Sequence, residues 1–398
     1  MSLLSPERAP GQRRWSLPAT VVEELSAELF ASLPRSDQRR KGELYLRGLL
    51  LAEGRKSIRN IAACVGDRAA EQSLHHFIAS STWDWALVRA ALARYLERTL
   101  QPRAWAVRPV VISKAGTESV GVTHRFVPDL GQMVNSQKAY GLWAVGEGHA
   151  SPVNWRLDLS DKWRDSLLGA SPHTIGSALT TMPLENVASA AHEVRGWSGG
   201  PVRPVVIDLP DLRPAEVAHR FARTGTPFVL AARGTTPVRC TDPALPSGAD
   251  NGIGAHRLLL QARTLRRPVA WTEPAELRTR TSLVVVVRIR LPSSTRPLVL
   301  LGEWTDPRGW PERCWISDLT QVSPGALLRI AKLSRYAERD FSGISLPVGL
   351  ADFGGRSFEG WHRHVTLASA AHAVRMLTLA ETSAVSPSSA WSEYGALG

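Results

Sequence analysis

Apolar residues recur at helical spacing from Val21 to Leu33, and Pro34 stops the run. Residues 37–53 repeat the pattern, with Leu44, Leu46, Leu49, Leu50 and Ala52 turned toward a core. Ser57 then caps a short helix, IRNIAACVG, that ends on Gly66. The period continues over 69–79 and 83–100, which predicts an all-helical unit over 19–102. A short helix, a glycine turn and another helix also loosely describe a helix-turn-helix. From Trp105 the pattern changes to strands. VRPVVIS (107–113) is a short apolar run, and SVGVTHRFV (119–127) and KAYGLWAV (138–145) alternate. A helix near 173–195, the buried strand RPVVIDL (203–209), a helix at 214–224 and the strand PFVLAA (227–232) follow. Strands alternating with helices argue for an α/β core. Residues 233–320 are richer in Pro, Gly, Thr and Arg, with strands at 282–291 and 296–304, and read as a β-rich insertion. Ser323 and Pro324 then start a helix expected to run through Glu338 to about Phe341, and a last helix over 361–380 closes the fold. The expected organisation is a tail (1–18), a helical domain (19–102), a first core segment (103–232), the insertion (233–320), the final core helices (321–380) and a frayed tail (381–398).

Composition narrows the functional classes. At 43% hydrophobic and 21% charged, the 398-residue chain is globular in type. Three scattered cysteines, Cys64, Cys240 and Cys314, with no CxxC pair, argue against a disulfide scaffold or a cysteine zinc module. No apolar run is long enough for a membrane span, and the first residues lack a secretory core, so a cytoplasmic, nucleoid-associated location is expected. Charge adds more. Lys and Arg outnumber Asp and Glu by 48 to 36, a formal charge of +12, which points to a polyanionic partner, nucleic acid first and an anionic membrane second. An arginine-rich chain is also a habit of high-GC genomes. Residues 35–59 hold eight basic residues against three acids: Arg35, Arg39, Arg40, Lys41, Arg47, Arg55, Lys56 and Arg59. Residues 257–290 hold eight arginines against two glutamates, among them Arg263, Arg266, Arg267, Arg288 and Arg290; the last two share one face of a strand by period-two spacing. Both segments are candidate phosphate-binding surfaces, and the first reads equally as a solvated helix face. The histidines of His362-x-His364 and His372 read as packed core groups rather than a metal site, and most of the fourteen tryptophans as core area.

Several strings resemble one family in the right order. YLRGLLL followed by GRKSIRNIAACVG, SLHHFIASSTWDW (73–85), SVGVTHRFVPDLGQMVNSQKAYGLW (119–143) and FGGRSFEGWHRHVTLASAAHA (353–373) are similar to the insertion-sequence DDE transposases over about residues 40–375. The resemblance implies a ribonuclease H-like mixed sheet behind an N-terminal helical DNA-binding domain. It also implies three carboxylates that converge at one end of the sheet to hold two Mg²⁺ ions for displacement at phosphorus.

The family's acids are only partly present. Asp208 in VVIDLPDLRP resembles the second Asp, and Glu338 in RYAERDF the Glu. Where the family has Ile-Asp-Asp-Thr-Gly, the matching string is Ile112-Ser113-Lys114-Ala115-Gly116, so a lysine is expected in place of the first acid. Ser334 and Ser345 stand where the family has phosphate-holding cations, and Ala351-Asp352 where it has Asp-His. Glu118, Asp129 or Asp158 remains open as a stand-in for the first acid. The expectation is a transposase-derived, regulatory DNA-binding protein with a degenerate site. It needs no cofactor, and Mg²⁺ only if active; a symmetric dimer is the default for a reader of paired ends. The alternatives are an active nuclease with a rearranged triad, and a protein-interaction scaffold or inhibitor of a related transposase.

Overall fold

The computed structural model describes residues 19–66, 68–127, 131–170, 182–245, 252–292 and 294–385. The expected tail over 1–18, the last thirteen residues, Asp129 and most of the first half of the helix expected near 173–195 lie outside these.

Five helices come first: α1 (Ala19–Phe30), α2 (Ser36–Leu51), α3 (Ile58–Val65), α4 (Arg68–Ala79) and α5 (Trp85–Thr99). Their ends follow local chemistry. The Ser57 hydroxyl accepts from the Asn60 amide at 3.2 Å, and the Asp84 carboxylate from the Ala86 amide at 2.7 Å. Their apolar stripes, including Leu29, Tyr45, Leu49, Ile61, Phe77 and Leu92, are fully or nearly fully buried.

The strands are β1 (Ala104–Ser113), β2 (Val122–Val127), β3 (Gln132–Val145), β4 (Ala150–Leu157), β5 (Val205–Ile207), β6 (Phe228–Ala232), β7 (Pro237–Cys240), β8 (Ile253–Gly254), β9 (Arg267–Glu273), β10 (Arg278–Arg290), β11 (Leu298–Trp304) and β12 (Arg313–Ser317). Among the described residues they form one sheet in the order β2-β3-β1-β5-β6-β12-β11-β10-β7-β8, with β4 on β3 and β9 on β10. In the row β4-β3-β1-β5-β6 only β3 runs against the others. This is the ribonuclease H-like mixed sheet. The remaining helices are α6 (Asp161–Ala170), α7 (Pro183–Ser198), α8 (Pro214–Thr224), α9 (Ala255–Gln261), α10 (Pro324–Lys332), α11 (Ser334–Asp340) and α12 (Phe358–Val385).

Two features change the sequence picture. The segment read as an insertion does not form its own sheet, because β12 pairs antiparallel with β6 and so extends the core sheet outward. The helix expected from 323 to 341 is broken at Leu333 into α10 and α11, and a π-helical turn, Phe341–Ser345, follows. One continuous apolar cluster runs from Val21 in α1 to Met376 in α12, so the helical unit and the sheet share a core. A smaller cluster packs α10 on the outer strands through Trp271, Leu301, Trp315 and Leu328.

Candidate functional site

Strand β5 ends at Ile207, which places Asp208 at the mouth of the sheet. Parallel β1 lies beside it with Val107 opposite Ile207. The next residue along β1, Arg108, therefore stands at the level of Asp208. Its guanidinium lies 4.8 Å from the centre of the Phe341 ring, just beyond α11. Burial lowers the Arg108 pKa, and the nearby Glu338 and then Asp208 oppose that shift. Its Nε is buried without a hydrogen-bond partner among the described residues. Asp208 has a second cationic neighbour, since Arg313 on β12 donates to its carboxylate at 3.2 Å. Glu338 sits exposed on α11, beside the buried Ala337. The site thus brings together two carboxylates and two guanidinium groups.

Such a set does not fit the metal pair that the resemblance implies. Mg²⁺ needs hard oxygen ligands, and two dications need several anions between them. The β1 position that faces both acids carries a cation instead. Among the described residues no group of three or more His, Cys, Asp or Glu side chains is arranged to hold a metal ion.

The cation that faces the acids is therefore not Lys114. That residue lies six positions beyond Arg108, roughly 20 Å further at the rise of an extended chain. Its ammonium donates to the Phe353 carbonyl at 2.8 Å, and its charged neighbours are Arg55 and Asp352. Ser113, opposite Ser136 at the end of β1, is equally remote. Of the possible stand-in acids, Asp158 pairs with Arg125 at 3.4 Å, and Glu118 is exposed beside Thr117. Ser345 is buried and bonded to His372 at 2.8 Å, so it belongs to the core. His362, His364 and His372 are buried, as their packed reading requires. Burial holds His364 and His372 down at about 4, so both are neutral at pH 7.

The basic surfaces divide unevenly. In the helical domain Arg40, Arg55 and Arg59 are exposed. Arg39 is tied to the Leu33 carbonyl, Lys41 to Asp37, and Arg47 reaches Glu23 at 3.8 Å. Lys56 is buried, with its ammonium turned onto the Ala52 carbonyl, and leaves the proposed phosphate face. On the sheet, Arg288 and Arg290 are exposed on one face, as the alternation requires. Arg239 of β7 lies directly across from Arg290 and joins them, a neighbour that only the strand pairing reveals. Arg263 and Arg267 are exposed, while Arg266 packs 5.0 Å over Trp304 and donates to the Pro307 carbonyl.

Among the described residues no helix is long and apolar enough to cross a membrane. No curated protein matches the chain. The family model described as DDE superfamily endonuclease matches residues 28–291, which takes in α2 to α5 of the helical domain, β1 to β10 and Asp208. The chain belongs to the DDE superfamily endonuclease family.

Proposed function

We propose that this protein is a DNA-binding member of its family that holds duplex DNA without cutting it, and that its use is regulatory or architectural. The reading rests on one observation, the Arg108 guanidinium beside Asp208 and within electrostatic reach of Glu338. Removing the first carboxylate deprives a metal of its main anionic ligand. Putting a guanidinium there adds repulsion toward any dication that approaches, and this repulsion is little screened in a partly buried site. The two acids instead serve as counter-ions for Arg108 and Arg313. Double-stranded DNA is the partner, met by the arginines of β7 and β10 and by the exposed arginines of the helical domain, and no divalent ion is needed.

A gel-shift series on the full chain tests this. Duplex binding should persist in EDTA and weaken steeply with salt, because each neutralised phosphate releases counter-ions. Binding that requires Mg²⁺ would contradict the reading. Absence of binding to any duplex at low salt would leave the protein-interaction role in its place.

A further inference from the structure

A cavity of about 560 Å³ opens between the helical domain and the loop before α12. Tyr45, Ile78 and Phe353, all buried, give it an apolar floor. Exposed Arg55, His75 and Arg356 also line it. The floor is chemically quiet. The Tyr45 hydroxyl donates to Nδ1 of neutral His364 at 2.8 Å, and Nε2–H of that ring donates to the Gly349 carbonyl at 2.9 Å. The one lining carboxylate, Asp352, is engaged by the Lys56 backbone amide at 2.8 Å. Arg55 and Arg356 have no ion-pair partner among the described residues, and Lys114 is close enough to Arg55 for the two to repel. The wall also contains Gly354 and Gly355, whose backbone groups make no hydrogen bond among the described residues. Gly355 is required there, since a Cβ would run into the Phe353 ring.

An apolar floor, unpaired guanidinium groups and a free edge of peptide N–H and C=O are three complementary demands. A flat heterocycle satisfies the first and third, and a phosphate the second. A phosphopeptide fits less well, because the free backbone groups span only Gly354 and Gly355, too short an edge for an extended peptide to pair along. We propose that this cavity binds a nucleotide, with its base over this floor against Ile58, Ala79 and the edge of Phe353 and its phosphate on Arg55 and Arg356. The nucleotide is either free in solution or part of a single strand. The site shares Arg55 with the exposed arginines of the helical domain but is separate from the duplex-binding arginines of β7 and β10 and does not depend on them.

Calorimetric titration of the full chain with the four 5′-mononucleotides, their nucleosides, inorganic phosphate and a short single-stranded oligonucleotide tests the assignment. At least one nucleotide should bind, more tightly than its nucleoside and than phosphate alone. Arg55→Ala and Arg356→Ala, both at exposed positions, should each weaken it roughly tenfold or more, the worth of a charge-assisted hydrogen bond. Phe353→Leu should weaken nucleotide and nucleoside alike. Tighter binding by the mononucleotide identifies the free source, and tighter binding by the oligonucleotide the strand; either supports the site. No binding by either, affinity unchanged in both arginine variants, or inorganic phosphate binding as tightly as the nucleotide would overturn it. Duplex binding measured on Arg356→Ala and Phe353→Leu, at residues outside the duplex-binding set, keeps failure of this site distinct from failure of the DNA-binding reading.

Discussion

The charge balance around Arg108 turns on a single side chain. Replacing it by aspartate, Arg108→Asp, puts a third carboxylate beside Asp208 at the β1–β5 register. The variant should gain divalent-ion binding, seen as a rise of several degrees in Tm with millimolar Mn²⁺, while the wild type should not respond. A Mn²⁺ response as large in the wild type would show that Arg108 does not block the site. Buried histidines make a second residue-scale prediction. His364 and His372 are held at about 4 in the fold against 6.5 for the free side chain, chiefly by burial. A base with a depressed folded pKa leaves the unfolded chain holding more protons between these values. Stability is therefore full above about pH 6.5, falls as pH drops toward 4, and changes little from these groups below that. The loss is at most roughly 3 kcal/mol per histidine. Urea melts from pH 4 to pH 7 should show it, and His364→Gln should flatten the dependence. The packed reading of these histidines was legible from their place on an apolar helix. The identity of the cation facing the acids was not. A string match aligned on Gly116 placed it six residues too late, and only the pairing of β1 with β5 brings Arg108 to Asp208.

Between elements, the join of helical domain to sheet depends on Arg89 of α5. Its guanidinium is buried and donates to the Thr366 hydroxyl on α12 at 2.7 Å, and to the Asn154 side chain and the Trp155 carbonyl on β4 at 2.9 and 3.1 Å. Burial, then the nearby Arg156, pushes its pKa down to about 9, so it remains charged at neutral pH. Arg89→Met should destabilise the protein by about 3 kcal/mol, because several buried acceptors lose their donor together. An unchanged urea midpoint would mean the network carries no stability. Helices α1 to α5 and α8 were visible in the sequence because each has one apolar stripe, and several have a recognisable cap or stop. Strand β4 was not, because all eight of its residues are buried and no alternation survives to mark it. The short strand β12, which pairs with the distant β6, was missed too, as was the break between α10 and α11, which pack on different strands.

Across the whole molecule the question is how the positive charge is displayed. Arg239, Arg288 and Arg290 form one exposed group on β7 and β10. If each contacts a phosphate, changing all three to alanine should reduce the slope of log K against log salt by roughly 3, at about 0.9 per lost contact. A slope that does not move would place the DNA elsewhere. The two basic segments were legible in the sequence as clusters, but their membership was not. Lys56 turned inward, and Arg239 came in from a strand 51 residues away from Arg290 in sequence. Incubating the full chain with supercoiled plasmid and Mg²⁺ or Mn²⁺ tests the central claim most directly. The plasmid should be retarded on a gel yet remain supercoiled after the protein is stripped off. Nicked or linear product that disappears in Asp208→Ala or Glu338→Ala would contradict it.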